Sequence, residues 1–148
     1  MAVFKFRLKT LHRLKKQLED QAKNRLGLAV AALDAEKYKL RLIHAAIAAA
    51  VDDFRRLSGG RFTAGKIKAF NYFLAAQREK AEIQAVAVDK AQKVVDEARH
   101  ALLLAARQRE AYDKLRDKAY ARYAEDERHA EGVVVDEIVS YRGNTQAV

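Results

Sequence analysis

The chain has 148 residues without proline, cysteine or tryptophan, and its 29 Lys and Arg against 20 Asp and Glu give a net charge of +9. Ala, Leu, Glu, Lys and Arg make up 83 of the 148 residues, a composition typical of long helices and coiled coils. The lack of cysteine excludes disulfide frameworks and thiolate catalysis, and the lack of proline argues against sheets built on Gly/Pro turns. No stretch has the length of a membrane span or of a signal-peptide core, so we expect a cytoplasmic protein.

The first predicted helix covers residues from about 5 to 57. Upstream of residue 20 we expect its contact seam to run through Leu8, Leu11, Leu14 and Leu18, followed by two steps of four, which predict a stutter in the supercoil. From there on, the spacing alternates between four and three, as in a coiled-coil heptad. Ten of the eleven seam positions are apolar: Ala22, Leu26, Ala29, Leu33, Glu36, Leu40, Ile43, Ile47, Ala50, Phe54 and Leu57.

A single strong break follows at residues 58–63, beginning Ser58-Gly59-Gly60. Either glycine can adopt the left-handed conformation that ends a helix. Thr63 is a suitable N-cap for a second helix, and Phe62 and Ile67 have the spacing of a hydrophobic staple. This segment therefore predicts a tight helix-to-helix turn.

The second predicted helix runs from about 64 to 139, and a frayed tail covers 140–148. Its seam again steps by three and four, with ten of twelve positions apolar: Ile67, Phe70, Leu74, Gln77, Ala81, Gln84, Val88, Ala91, Val95, Ala98, Leu102 and Ala105. Farther on, Arg109 and Arg116 fall on the seam. A short connection between two long helices predicts antiparallel neighbours. The predicted fold is all-α, one antiparallel coiled-coil hairpin formed by residues 1–148.

No residue pattern indicates catalysis. The stretch from Gly60 to Lys66 has the spacing G-x-x-x-x-G-K, but a phosphate-binding loop needs a preceding strand and a following Ser or Thr, and Ile67 stands there. We expect the four histidines, His12, His44, His100 and His129, to face solvent or the seam edge. The sequence predicts no enzyme, no metal, no cofactor and no small-molecule substrate.

Basic residues cluster where an antiparallel hairpin would bring its two chain ends together. Residues 1–25 hold eight Lys or Arg against two acids, and residues 99–122 hold seven against three. Docking to an acidic protein surface, a solvated helix face, and binding of nucleic acid or lipid all fit this pattern. Nucleic acid is the less favoured partner, because exposed aromatics and a known reading module are not evident.

Aromatic residues cluster near the turn. A row beside the seam comprises Phe73, Gln77, Lys80 and Gln84, with Tyr72 next to it. Exposed aromatic side chains on a two-helix structure indicate either a partner protein or self-association, and the sequence favours neither.

Three segments in order resemble the FliJ family of flagellar export proteins. The first contains Phe4, Phe6, Leu8, Leu11 and Leu14, followed by Glu19, Ala22 and Leu26. The second is the hairpin segment 60–64 with Ile67, Phe70, Phe73 and Leu74. The third, Glu131 with the Val-Asp-Glu-Ile of 135–138, resembles the acidic signature near the family's C-terminus.

The resemblance implies a cytoplasmic component of the type III export apparatus, peripherally associated with the inner membrane. It implies partners in the flagellar export ATPase ring, the membrane export gate and export chaperones. ATPase contacts would come from Phe4, Phe6, Leu8, Leu11, Leu14, Lys15 and Leu18. Gate contacts would come from Tyr72, Phe73, Gln77, Lys80 and Gln84, and the acidic motif would be Asp136 and Glu137.

The chain departs from the family pattern at Gln77 and Lys80, which are polar where a docking face should be apolar, and at the valines of 133–135. Two other functions remain open at this point. One is the equivalent stalk of a virulence secretion system, and the other is a basic coiled coil that binds nucleic acid.

Overall fold

A computed structural model describes residues 3–57 and 59–146, and within them the fold consists of two α-helices and no strand. Helix α1 spans Lys9–Leu57 and helix α2 spans Ala64–Gln146. The prediction of an all-α helical hairpin is confirmed. Neither helix has, in its described residues, an apolar stretch of the length that crossing a bilayer requires.

The helix bounds differ from the expected ones at both chain ends. Helix α1 begins at Lys9 rather than near residue 5, and α2 continues to Gln146 through most of the tail that we expected to fray. Valine and glycine each cost a helix at most about 1 kcal/mol, so the valines of 133–135 and Gly132 do not end it. Ser58 of the predicted turn and residues 147 and 148 of the predicted tail lie outside the described residues.

The turn follows the predicted helix-end chemistry. Gly59 and Gly60 have φ angles of 53° and 79°, the left-handed region in which a side chain would be strained. The Lys66 amide donates to Thr63 Oγ1 at 3.3 Å, so Thr63 is the N-cap of α2. Phe62 stacks on Phe54, with ring centroids 4.9 Å apart. Phe62, which we expected to pack on Ile67 of α2, therefore packs on Phe54 of α1.

The chain divides into two compact units, of which the second comprises residues 21–103. Its helices run antiparallel, and its core contains Val95, which is 1% exposed, with Ala29 and Leu33. Partly buried apolar residues surround that core: Leu26, Val30, Val88, Ala91 and Ala98. Small seam residues allow the helices to approach closely, but each buries little area.

One polar pair crosses the seam of this second unit. Gln84 Nε2 donates to the Glu36 backbone carbonyl at 2.9 Å and also to the Glu36 carboxylate. The hydrogen bond from Gln84 lowers the pKa of Glu36, and Lys39 lowers it further. Glu36 and Gln84, which occupy polar positions in a mostly apolar seam, thus hydrogen-bond to each other across it.

The first unit comprises residues 3–20 with 104–146, and its seam differs from the predicted one. The buried positions of α1 here are His12 and Glu19, whereas Leu11, Leu14 and Leu18 are 43%, 44% and 38% exposed. Starting at His12, the inward positions of α1 step by three and four without interruption: His12, Lys15, Glu19, Ala22, Leu26, Ala29, Leu33, Glu36, Leu40, Ile43, Ile47, Ala50 and Phe54. The predicted stutter is therefore wrong, because polar residues and not leucines occupy the first heptads. The expected last seam position, Leu57, is 86% exposed.

The seam of α2 agrees better with its prediction. Its inward positions are Phe70, Leu74, Gln77, Ala81, Gln84, Val88, Ala91, Val95, Ala98, Leu102, Ala105, Arg109 and Tyr112. Arg109 lies on the seam as expected, while Arg116 is exposed. Ile67, the predicted first position, is 42% exposed.

Candidate partner-binding surfaces

A polar network fills the seam of the first unit. His12, 6% exposed, lies with Nε2 2.5 Å from Asp113 Oδ1. Arg109 Nη1 donates to Asp113 Oδ2 at 2.6 Å, and Arg109 Nε donates to the carboxylate of Glu19, which is 7% exposed. Lys15 Nζ donates to Gln108 Oε1 at 3.1 Å beside this network. Buried charges are tolerated here because each has a partner on the other helix.

The network alters the acid–base behaviour of its members. The hydrogen bond with His12 is the main cause that lowers the pKa of Asp113, and Arg109 adds to it. The carboxylates of Glu19 and Asp113 raise the pKa of Arg109. His12 corrects the expectation that all four histidines face solvent or the seam edge, whereas His44, His100 and His129 are exposed.

We expect the lowered pKa of Asp113 to make the protein acid-sensitive. Its contribution to stability is fully present above the unfolded-state pKa, near 3.8, and is lost as the pH falls through the lower folded-state value. Free energies of unfolding from urea titrations between about pH 2 and 7 should fall below about pH 4, and the fall should be smaller in Asp113→Asn. The exposed Asp117→Asn is the matched control, and an equal effect of both substitutions would contradict the assignment.

The segment before α1 packs on α2 through aromatic rings. Phe4 lies edge-on to Tyr120, with centroids 5.2 Å apart, and 5.4 Å from Tyr123. Phe6 lies edge-on to His12 at 5.9 Å. Burial is the main cause that raises the pKa of Tyr123. Three of the predicted ATPase contacts, Phe4, Phe6 and Leu8, are thus half-buried against their own unit.

Two open grooves adjoin this aromatic segment. One, of about 450 Å³, has apolar walls that include Leu8, Leu115 and Ala119. The other, of about 410 Å³, has no acidic residue among those that line it: Phe4, Phe6, Lys9, His12, Arg13, Lys16 and Arg116. We call it the basic groove. Four Lys and Arg side chains around one recess favour an acidic partner.

The remaining predicted ATPase contacts lie outside the grooves. Leu11, Leu14 and Leu18 follow one another at steps of three and four on the surface of α1, and we call them the leucine row. Lys15 is bonded to Gln108 and lies 6.0 Å from the centre of the Tyr112 ring. The leucine row is therefore the apolar part of this set that is accessible to another protein.

The predicted gate residues divide between the surface and the seam. Tyr72 and Phe73 are 67% and 40% exposed, and Lys80 is exposed as well. Gln77 is half-buried in the seam, and Gln84 is bonded across it to Glu36. Gln77 and Gln84 thus lie at the seam positions that the heptad assigns to them and do not share the exposed face of Tyr72, Phe73 and Lys80, and the gate contact of these residues stays a prediction.

A different row on α2 is accessible near the turn. It continues from Tyr72 through Ala76 and the acidic Glu79 to Ile83 and Val86, of which Ile83 is 65% and Val86 52% exposed. In the sequence, this exposed row lies one residue before the predicted row of Phe73, Gln77, Lys80 and Gln84. A shift of one residue rotates a helical position by about 100°, enough to exchange surface for seam.

The acidic motif lies in a part of α2 where every described residue is exposed, from 128 to 146. Val134, Ile138 and Tyr141 share one apolar face, and Tyr141 is 73% exposed. Glu137 borders this face, and Asp136 lies on the opposite side of the helix. No group of three or more His, Asp or Glu that could hold a metal occurs in the described ranges.

Comparison with known proteins gives one match. The family described as "Flagellar FliJ protein" matches residues 4–147, nearly the whole chain. Comparisons with curated proteins and with solved structures give no match.

Proposed function

Because the chain belongs to the FliJ family of flagellar proteins, we propose that it is a non-enzymatic stalk that docks into the ring of the flagellar export ATPase. Family membership makes it a component of flagellar protein export. Docking to the ATPase, coupling to the membrane export gate and escort of export chaperones are the proposal. The membership favours the flagellar system over the virulence system that the sequence analysis left open.

The leucine row is the observation that best supports ATPase docking. Leu11, Leu14 and Leu18 are exposed although the polar residues His12 and Glu19 of the same turns are buried. These leucines lie outside the seam of their own unit. Burying them against a partner would therefore be favourable, because it would remove apolar surface from water.

The basic groove adds an electrostatic component to that docking. Lys9, Arg13 and Lys16 are spaced by four and three on α1, so their side chains lie on one helix face, and Arg116 of α2 lines the same groove. Together they favour an acidic surface next to the apolar docking site and would increase the rate of association.

For the gate contact, we assign the exposed row on α2 in place of the seam residues. Tyr72 offers an apolar side chain near the turn, with Phe73 beside it, and Ile83 and Val86 offer two more farther along the same face, beyond Glu79 and next to Lys80. Gln77 and Gln84 would support this surface from the seam. Contact with a membrane-embedded gate would hold a cytoplasmic protein at the inner membrane. The role of Asp136 and Glu137 stays a prediction from the resemblance.

The purified protein is expected to raise both the hexameric fraction and the ATP hydrolysis rate of the cognate export ATPase, since a stalk inside a ring contacts several subunits at once. Sedimentation and phosphate release measure the two effects. No change in either quantity would contradict the proposal. Binding to duplex DNA that weakens steeply between about 50 and 200 mM salt would instead support the nucleic-acid alternative.

A further inference from the structure

Helix α1 has a second apolar stripe within the unit of residues 21–103. Seven positions recur at steps of three and four, and every one is apolar: Leu28, Ala31, Ala35, Tyr38, Leu42, Ala45 and Ala49. We call this the outer stripe. Each of its positions follows a seam position by two residues, as Leu28 follows Leu26. Two residues correspond to about 200° around the helix, so the outer stripe faces away from α2.

The outer stripe is accessible along its length. Leu28 is 74%, Tyr38 55% and Leu42 51% exposed, and the four alanines are exposed too. Single exposed apolar residues are ordinary. A second apolar stripe that continues through three heptads, however, is the pattern of a helix that packs against two partners. The seam uses one face of α1, and the other face is available for a second helix.

The shape of the stripe indicates what kind of helix it fits. Its alanines come in two pairs, Ala31 with Ala35 and Ala45 with Ala49, so low surface lies between Leu28 and Tyr38 and again beyond Leu42. Such low surface accepts large apolar knobs from a facing helix. A recess of about 490 Å³ continues from Leu28, where Val94 and Ala101 of α2 help to line it, with Arg25 and Glu97 as its charged residues. A large apolar side chain of the partner would fill that recess.

The charges beside the stripe indicate the sign of the charge that its partner should carry. Between residues 25 and 49, the positions that border it on both sides hold three cations, Arg25, Lys39 and Arg41, against one acid, Asp34, and Lys39 also pairs with Glu36 at 3.3 Å. The Arg41 guanidinium lies 5.7 Å from the centre of the Tyr38 ring, at the middle of the stripe. Cations that flank an apolar stripe pair with acidic residues that flank its partner.

We propose that the outer stripe binds an acidic amphipathic helix of another protein. Its large apolar residues would pack on the alanines, and its flanking Glu or Asp would face Arg25, Lys39 and Arg41. A second copy of this chain fits less well, because each copy has a net charge of +9 and would bring the same cations to the interface. The proposal does not depend on docking to the ATPase, since the stripe and the leucine row are in different units.

A synthetic helical peptide tests the proposal. The probe is a fluorescein-labelled peptide of four heptads with Leu at the two core positions and Glu at the flanking positions. Fluorescence anisotropy with the full-length protein at physiological salt should give saturable binding. Tyr38→Asp/Leu42→Asp should weaken it about tenfold or more, because a carboxylate would be buried in place of an anchor. Circular dichroism should report unchanged helix content, because both side chains are exposed.

Two controls define the site. Val135→Asp/Val139→Asp changes an equally exposed apolar pair with the same spacing on α2, at 56% and 62% exposure, and should leave the affinity within about twofold. A peptide with Lys in place of Glu should not bind. Equal binding by the Tyr38→Asp/Leu42→Asp variant, or equal binding of the Lys peptide, would overturn the proposal.

Crosslinking gives a readout that does not rely on the aspartate variants. The chain has no cysteine, and a Cβ added at Gly27 or at Gly132 meets no atom within 4 Å, so a photoreactive label can be placed at either site. The label on Gly27→Cys, next to Leu28, should crosslink the Glu peptide, and the label on Gly132→Cys should not. Labelling of both sites to the same extent would overturn the proposal. So would sedimentation as a dimer that Tyr38→Asp/Leu42→Asp dissociates, because a second copy would then cover the stripe.

Discussion

An Arg109→Leu variant is expected to be less stable than the wild type and to unfold at a lower urea concentration. The substitution removes the guanidinium that donates to Glu19, whose side chain is 9% exposed, and to Asp113, so both carboxylates lose a cationic hydrogen-bond donor in the seam. Urea unfolding followed by circular dichroism measures the effect.

The double variant Glu19→Leu/Arg109→Leu identifies the cause. It removes both charges and allows leucine to pack in the seam, so its stability should return to that of the wild type or exceed it. Asp113 keeps its bond to His12 in that variant. Arg107→Leu, at an exposed position of the same helix, should change stability by less than about 0.5 kcal/mol. An Arg109→Leu protein as stable as Arg107→Leu would show that the polar seam contributes nothing to folding.

A Leu14→Asp/Leu18→Asp variant should lose the stimulation of the export ATPase while its stability stays close to that of the wild type. Each leucine that is buried at an interface contributes about 1.5–3 kcal/mol, so the loss of two should reduce ATPase affinity by far more than tenfold. The folded protein tolerates the change because both positions are outside the seam, at 44% and 38% exposure. The ATP hydrolysis rate against protein concentration measures the affinity, and urea unfolding measures the stability.

Leu42→Asp is the matched control for this variant. It places the same substitution on α1 at a position that is 51% exposed but lies in the other unit. ATPase stimulation should be unchanged in the control. If Leu14→Asp/Leu18→Asp stimulated the enzyme as the wild type does, docking through the leucine row would be ruled out.

The polar seam has a consequence for helix register. In the second unit, a slip of α1 past α2 by one heptad would separate Glu36 from Gln84, whereas small apolar positions such as Ala22 and Ala29 would only exchange with each other. In the first unit, the same slip would separate Glu19 from Arg109 and His12 from Asp113, and the loss of these hydrogen bonds would destabilise the shifted alignment. The polar pairs therefore specify one alignment where the apolar seam specifies it weakly.

The sequence by itself determined the helices and the seam of the second unit. The absence of proline and a heptad that is apolar at most of its positions permit two long helices, and Gly59, Gly60 and Thr63 define the turn by local chemistry alone. The three segments that resemble FliJ proteins also sufficed to identify the family, which the match over residues 4–147 confirms.

Only the tertiary structure decided which face of α1 is buried near its start. Two rows with almost the same helical spacing compete there, one of leucines and one containing His12 and Glu19, and hydrophobicity alone favours the leucines. The polar row is buried because its partners Asp113 and Arg109 lie on α2, 101 and 90 residues later in the chain. A local pattern does not contain such pairings, since they depend on which residues the turn brings into register. The leucines are left on the surface for the same reason.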